Sequence, residues 1–201
     1  MRLVLASQSP SRASILRGAG VEPVVHPADV DEDEIIGKLA DAQPADIVAQ
    51  LARAKAHAVA MHYPTDVVIG GDSMLLLDGE LQGKPHTQEA TIARWEKQAG
   101  KTAQLLTGHC IISGQREYVE TSSTLIEFAV ASPGDIAAYA ATGEPLQCAG
   151  AFTLEAIGGW FIDRIDGDPS SVIGLSLPVV RRALYSFGLD VSAFWNRKNN
   201  R

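Results

Sequence analysis

The chain is poor in several features that would announce a function. Its 201 residues hold two cysteines, Cys110 and Cys148, far apart and outside any CxxC pair. Reduced thiols are the default reading of such usage. No apolar run reaches the roughly 18 residues of a membrane span, and the apolar run in the opening "MRLVLAS" is too short for the core of a secretory signal. Positive charge is in deficit, with 17 Lys and Arg against 24 Asp and Glu, for a formal net charge of −7. That balance argues against broad adhesion to nucleic acid or to an anionic membrane, but not against a small anion held by a few local cations. The five histidines form no HxH or HExxH, and the chain has no GxSxG, Walker A or GxGxxG. These absences weaken histidine–metal, esterase, P-loop and dinucleotide readings.

What is present describes a globular α/β chain, 46% hydrophobic, of one large domain or two closely packed lobes. "RLVLAS" reads as a short buried strand, followed by a helix from Pro10 with Ser9 as its cap. "VEPVVHP" reads as an edge strand and "ADVDEDE" as an acidic loop. "PADIVAQLARAKAHAVAMHY" has helical apolar spacing. "DVVIGGDSMLLLDGELQGKP" is expected to be strand, glycine break, strand, Asp-Gly turn and short strand. A helix capped by Thr87 follows, then a hairpin of two long strands turning at Gly114-Gln115, then a helix begun by Ser132 and Pro133. "GWFIDRID" is predicted as a strand, "GDPSS" as a polar loop, "LPVVRRALYSFG" as the last helix, and 196–201 as a basic polar tail that frays.

A few residues look like chemistry. Ser7, Ser9 and Ser11 offer hydroxyls and free backbone N–H groups at a strand–turn–helix. Arg12 puts a forked cation in the first helical turn, where the helix dipole disfavours one. An anion completing that turn would explain it; plain capping by Ser9, with Arg12 out in solvent, is the alternative. An empty site is expected to leave Arg12 mobile or carrying a buffer anion. Lys55 falls inside an apolar helical stripe, so it must snorkel, pair with a carboxylate or reach an anion. Asp72 follows a strand and two glycines, where it could bind a divalent cation, act on water as a general base, or only shape a turn. Lys84 stands before Pro85 in an extended segment. The acidic run 29–34 does not have EF-hand spacing and is most simply a solvated face, although one member could supply an oxygen to Mg²⁺. Glu155 is a polar residue in an apolar, Gly-rich stretch, suited to a base, a metal or an exposed loop.

Taken in order, "LASQSPSR", "VDED", "LARAKA", "GGDSMLLLDGELQGKP", "TGEPLQCAGAF" and "DGDPSSVIGLSLP" resemble the Maf family of nucleoside triphosphate pyrophosphatases, over about residues 2–190. The resemblance implies one Maf-like domain of two lobes, 1–195, with a long twisted mixed sheet, flanking helices and a deep cleft, as in inosine-triphosphate pyrophosphatases. It implies cleavage of a nucleoside triphosphate between the α and β phosphates, with Mg²⁺ or Mn²⁺, in the cytoplasm, often as a homodimer, with a role in clearing unwanted nucleotides. By position it assigns substrate contacts to Ser7, Ser9, Arg12, Lys55, Ser73, Lys84 and Glu155, the proton acceptor to Asp72, and metal ligation to Glu32 and Asp72. Two departures stand out: Ser11 replaces a usual basic residue, and Ser73 replaces a threonine. The pattern "LQCAG", with Glu155 downstream, looks more like the branch acting on 7-methyl-GTP than the dTTP/UTP branch. A nucleotide-binding regulator of septum formation that does not cleave is the competing reading.

Overall fold

The computed structural model describes residues 1–39 and 41–196. Of the predicted tail only Asn196 is described. It is tied down, its backbone N–H donating to the Gly20 carbonyl and its side-chain oxygen accepting from the Glu22 N–H. The rest of that tail lies outside the described residues.

The strands are β1 (Leu3–Leu5), β2 (Val24–Val25), β3 (Val67–Leu77), β4 (Glu80–Gln82), β5 (Thr102–Ser113), β6 (Arg116–Phe128) and β7 (Ile162–Asp166). Among the described residues they form one seven-stranded mixed sheet in the order β2-β1-β3-β5-β6-β7, with β4 beside β3. β1 is parallel to β2 and β3, while β4 and β7 run antiparallel to β3 and β6. The helices are α1 (Pro10–Gly18), α2 (Glu32–Gly37), α3 (Pro44–Ala60), α4 (Gln88–Gln98), α5 (Pro133–Ala141), α6 (Pro169–Ile173) and α7 (Leu177–Ser186). α1, α4, α5 and α7 each start at a Ser or Thr whose hydroxyl accepts a backbone N–H of the first turn, which satisfies a donor that helix geometry leaves unpaired.

Three sequence expectations are corrected. The acidic "loop" is the short helix α2: Asp31 caps it, and its first-turn acids suit the positive end of the helix dipole. The polar loop "GDPSS" begins α6, where Asp168 accepts from the Ser170 N–H and hydroxyl. The glycine pair does not break the strand, because β3 runs uninterrupted through Gly70 and Gly71. A Cβ at Gly70 would lie 2.1 Å from the Ala52 carbonyl oxygen of α3, and one at Gly108 of β5 would lie 2.2 Å from the Val48 oxygen. These glycines let the α3 backbone lie directly on the strands.

The chain divides into two compact units. The first takes Met1–Asp72, Thr107–Ser122 and the chain from Gly174. Leu3, Leu5, Leu16, Ile69, Ile111 and Leu184 are among its buried core. The second takes Ser73–Leu106 and Ser123–Ile173. Its core centres on Trp95, whose ring meets Phe128, Tyr139 and Phe161 edge-on at 5.5–5.8 Å, a favourable geometry for aromatic quadrupoles.

Candidate active site

In the first unit, strand pairing sets the geometry. β1 lies against β3 in register Leu5↔Ile69, and the Ala6 N–H donates to the Ile69 carbonyl. The turn that follows β1 therefore stands beside Gly70, Gly71 and Asp72, where β3 runs on past the carboxyl end of β1, the kind of strand end at which open α/β sheets place their ligands. Ser9 caps α1 by accepting from the Arg12 N–H, so the capping reading holds for this hydroxyl. Ser7 Oγ accepts from the Ser9 N–H at 3.2 Å and from Arg12 Nη1 at 3.0 Å.

Arg12 does not lie out in solvent. Its Nε donates to the Gly174 carbonyl at 2.7 Å, and its guanidinium passes over Gly71, where a Cβ would meet Nε at 3.4 Å. Burial lowers its pKa, opposed by the charges of Asp72 and Glu32. The arginine is thus held by the fold with two carboxylates nearby.

Lys55 is resolved among its alternatives. Successive side chains on a strand alternate, so Asp72 shares a face with Gly70, the position against which α3 rests. Lys55 lies about one helical turn beyond Ala52 on α3 and reaches that carboxylate. Its ammonium donates to Asp72 Oδ1 at 2.7 Å and sits 2.9 Å from Glu32 Oε1. The Lys55 and Asp72 side chains are only 11% and 10% exposed, so this is a buried pair rather than a snorkelling lysine. Asp72 Oδ2 is also buried, with no hydrogen-bond partner among the described residues.

That orphaned oxygen tests the fit of a divalent cation. Mg²⁺ and Mn²⁺ take oxygen donors, commonly one or two carboxylates completed by substrate phosphates and water. Asp72 and Glu32 match that donor set. No group of three His, Cys, Asp or Glu side chains among the described residues could hold a metal without such completion. One unit thus brings together Ser7, Ser9, Arg12, Glu32, Lys55 and Asp72: cations and hydroxyls for an anion, beside paired carboxylates.

Ser73, Lys84 and Glu155 belong to the second unit. Lys84 is exposed, and Arg94 holds the backbone beneath it by donating to the Gly83 and Lys84 carbonyls. That segment is tied to the following loops by His86 N–H to Leu146 O and Gly150 N–H to Gly83 O. Glu155 is exposed, and its Oε2 accepts from the Leu154 N–H. Burial pushes the Cys148 thiol up to about 11, a shift that Glu155 and Glu144 reinforce and Lys84 opposes. Cys110, buried in the first unit, is raised to about 12 and is equally unsuited to nucleophilic work.

The motif reading missed the partners that fix these residues: the Gly174 carbonyl, Arg94, and a network around Glu144. A carbonyl has no sequence signal. Glu144 had one, being the charged residue of "GEPLQCAGAF".

A mixed α/β sheet whose first unit gathers a guanidinium, an ammonium, hydroxyls and two carboxylates beside the carboxyl end of β1 has the donor set that an anion would need. The chain matches the Maf-like protein family over residues 2–187. It is 72% identical over 195 residues to the nucleoside triphosphate pyrophosphatase of Corynebacterium aurimucosum, covering 97% of this chain and 98% of that protein. The protein of the same description from Nocardia farcinica is 54% identical, with 96% of each chain covered. Among solved structures, the Staphylococcus aureus Ham1 protein matches 65% of this chain and 73% of its own, at 20% identity and a TM-score of 0.42. The chain belongs to the Maf family. Among the described residues no helix is long and apolar enough to cross a membrane.

Proposed function

We propose that the protein is a nucleoside triphosphate pyrophosphatase of the cytoplasm, cleaving its substrate to the monophosphate and pyrophosphate. The observation that carries this reading is the buried Lys55 joined to Asp72 and Glu32, beside an Arg12 already anchored at the β1–α1 turn. Water attacks the α-phosphorus, the bond to the bridging oxygen breaks, and pyrophosphate leaves with that oxygen. Asp72 accepts the proton of the attacking water at Oδ2, a general base held in place through its other oxygen. Arg12, Lys55 and Lys84 neutralise charge on the leaving group, and Ser7, Ser9 and Ser73 donate hydroxyl hydrogen bonds to phosphate oxygens. Glu32 and Asp72 would hold Mg²⁺ or Mn²⁺, which when bound supplies charge neutralisation and a more acidic water. Glu155 accepts hydrogen bonds from the base, its carboxylate suited to the N1–H and amino edge of a guanine.

The test is a panel of nucleoside triphosphates with Mg²⁺, including GTP, 7-methyl-GTP, dTTP and UTP, with products identified. Pyrophosphate and monophosphate in equal amounts are expected, and Asp72→Asn should lower kcat by at least about a hundredfold while the fold is kept. Tight binding without turnover points to the regulatory reading, orthophosphate points to a general phosphatase, and normal turnover by a folded Asp72→Asn protein removes Asp72 as the base.

A further inference from the structure

The second unit contains a partly buried hydrogen-bond network that the proposed chemistry does not use. The Glu144 carboxylate, just after Gly143 in the left-handed conformation, gathers four donors from its own unit. Oε1 accepts from Thr153 Oγ1 at 2.5 Å, from the Gly158 N–H at 3.1 Å and from the Tyr139 hydroxyl at 3.2 Å. Oε2 accepts from the Ile157 N–H at 3.3 Å. Two bonds close the same ring: the Thr153 N–H donates to the Tyr139 oxygen, and the Gly158 N–H donates to Thr153 Oγ1. Gly158 has no room for a side chain, since a Cβ would lie 2.5 Å from both the Thr153 carbonyl and the Tyr139 hydroxyl. Burial alone would push the Glu144 carboxyl up, yet these donors outweigh it and hold it below its ordinary value.

The donors are the two ends of a single short loop. Thr153 enters it, Ile157 and Gly158 leave it, and Glu155 stands exposed between them. Upstream, the Trp95 indole N–H holds the Ala151 carbonyl and the Gln98 amide holds that of Gly150. A carboxylate gathering both ends of a loop sets where its tip can be, and a recognising side chain discriminates only if its position is held before the ligand arrives.

We propose that Glu144 is a positioning residue for base selectivity: with Tyr139 and Thr153 it clamps the 153–158 loop, so that Glu155 meets the nucleobase edge in one fixed orientation. The proposal rests on the pyrophosphatase reading and on Glu155 as the base contact.

Selectivity is read as the ratio of kcat/KM between the best and the poorest nucleotide of a panel. Glu144→Gln replaces a charged acceptor with an amide, and Thr153→Val deletes one donor to it. Each is expected to lower that ratio about tenfold through a raised KM for the preferred base, with kcat within about twofold of the parent. Thr153→Ser, which keeps the hydroxyl, is expected to retain the ratio. In a Glu155→Ala background, Glu144→Gln should change the ratio by less than twofold, because it acts through a group no longer there. Unchanged selectivity in Glu144→Gln and Thr153→Val overturns the proposal, as does an effect undiminished in the Glu155→Ala background. If Glu144→Gln does not fold, Thr153→Val against Thr153→Ser decides alone. A parent protein that releases no pyrophosphate from any nucleotide refutes the reaction itself, and the clamp's role falls with it.

Discussion

Lys55→Met tests whether the two carboxylates depend on the ammonium that joins them. Methionine keeps most of the unbranched apolar stem, so the change removes charge while leaving little cavity. At 2.7 Å the Lys55–Asp72 contact amounts to about 6 kcal/mol of gross attraction at an effective dielectric of about 20. Desolvation of both buried groups cancels much of that. Removing one partner of a buried pair nevertheless costs about 3–5 kcal/mol, because the other charge is left uncompensated. Glu32 is 48% exposed and can turn to water, so the lower end, about 3 kcal/mol, is expected. For a chain of this size that corresponds to a fall of roughly 6–12 °C in Tm. The assay is urea and thermal unfolding of the nucleotide-free protein in EDTA at neutral pH. Adding Asp72→Asn to Lys55→Met should restore about 2 kcal/mol, since the stranded charge is gone. In a second arm Mg²⁺ should raise the Tm of Lys55→Met by more than that of the parent, because the carboxylates are then open to a cation. A loss below about 0.5 kcal/mol, as for an exposed lysine, or a double variant no more stable than Lys55→Met, would refute the buried-pair reasoning.

Two further outcomes follow from the packing and the charges. Gly70→Ala drives a methyl group into the α3 backbone at Ala52, so it should cost at least about 2 kcal/mol in urea unfolding, whereas Gly18→Ala, with nothing near its Cβ position, should be neutral or stabilising; equal effects would mean that α3 does not rest on β3 as described. Asp66, Glu117, Glu120 and Glu144 all have lowered carboxyl pKa values: Arg2 and Arg182 hydrogen bonds lead for Asp66 and Glu120, while at Glu117 and Glu144 hydrogen bonding outweighs an opposing burial. The native state then binds fewer protons than the unfolded chain in acid, so this stability is present above the ordinary carboxylate range near pH 4 and is lost as pH falls through the lowered values. Urea midpoints taken from pH 6 to 3 should fall, and Glu144→Gln should show the shallower fall; parallel curves would deny Glu144 its share.

Much of the site was legible in the chain itself because local chemistry demands particular residues at particular offsets. A serine caps α1, and a lysine in an apolar stripe needs a counter-charge. Helix periodicity and turn residues likewise placed most elements, since those signals act within a few residues. They failed where the deciding interaction came from elsewhere. Gly70 and Gly71 read as a break because glycine usually is one, but the nearby α3 backbone needs Gly70 bare and Arg12 passes over Gly71. The acidic run 29–34 is the solvated face it was read as but not a loop, since Asp31 caps a helix and Glu32 meets Lys55.

Read alone, the chain shows which groups the protein owns, that Ser9, Thr87 and Ser132 start helices, and which family its ordered motifs resemble. Partners and distances came from the folded arrangement. It joined Lys55 to both Asp72 and Glu32, left Asp72 Oδ2 bare, anchored Arg12 on the Gly174 carbonyl, and gathered Thr153, Ile157 and Gly158 on Glu144. Propensity and capping are short-range properties of the chain. Burial and charge pairing instead depend on residues brought together across many positions of sequence.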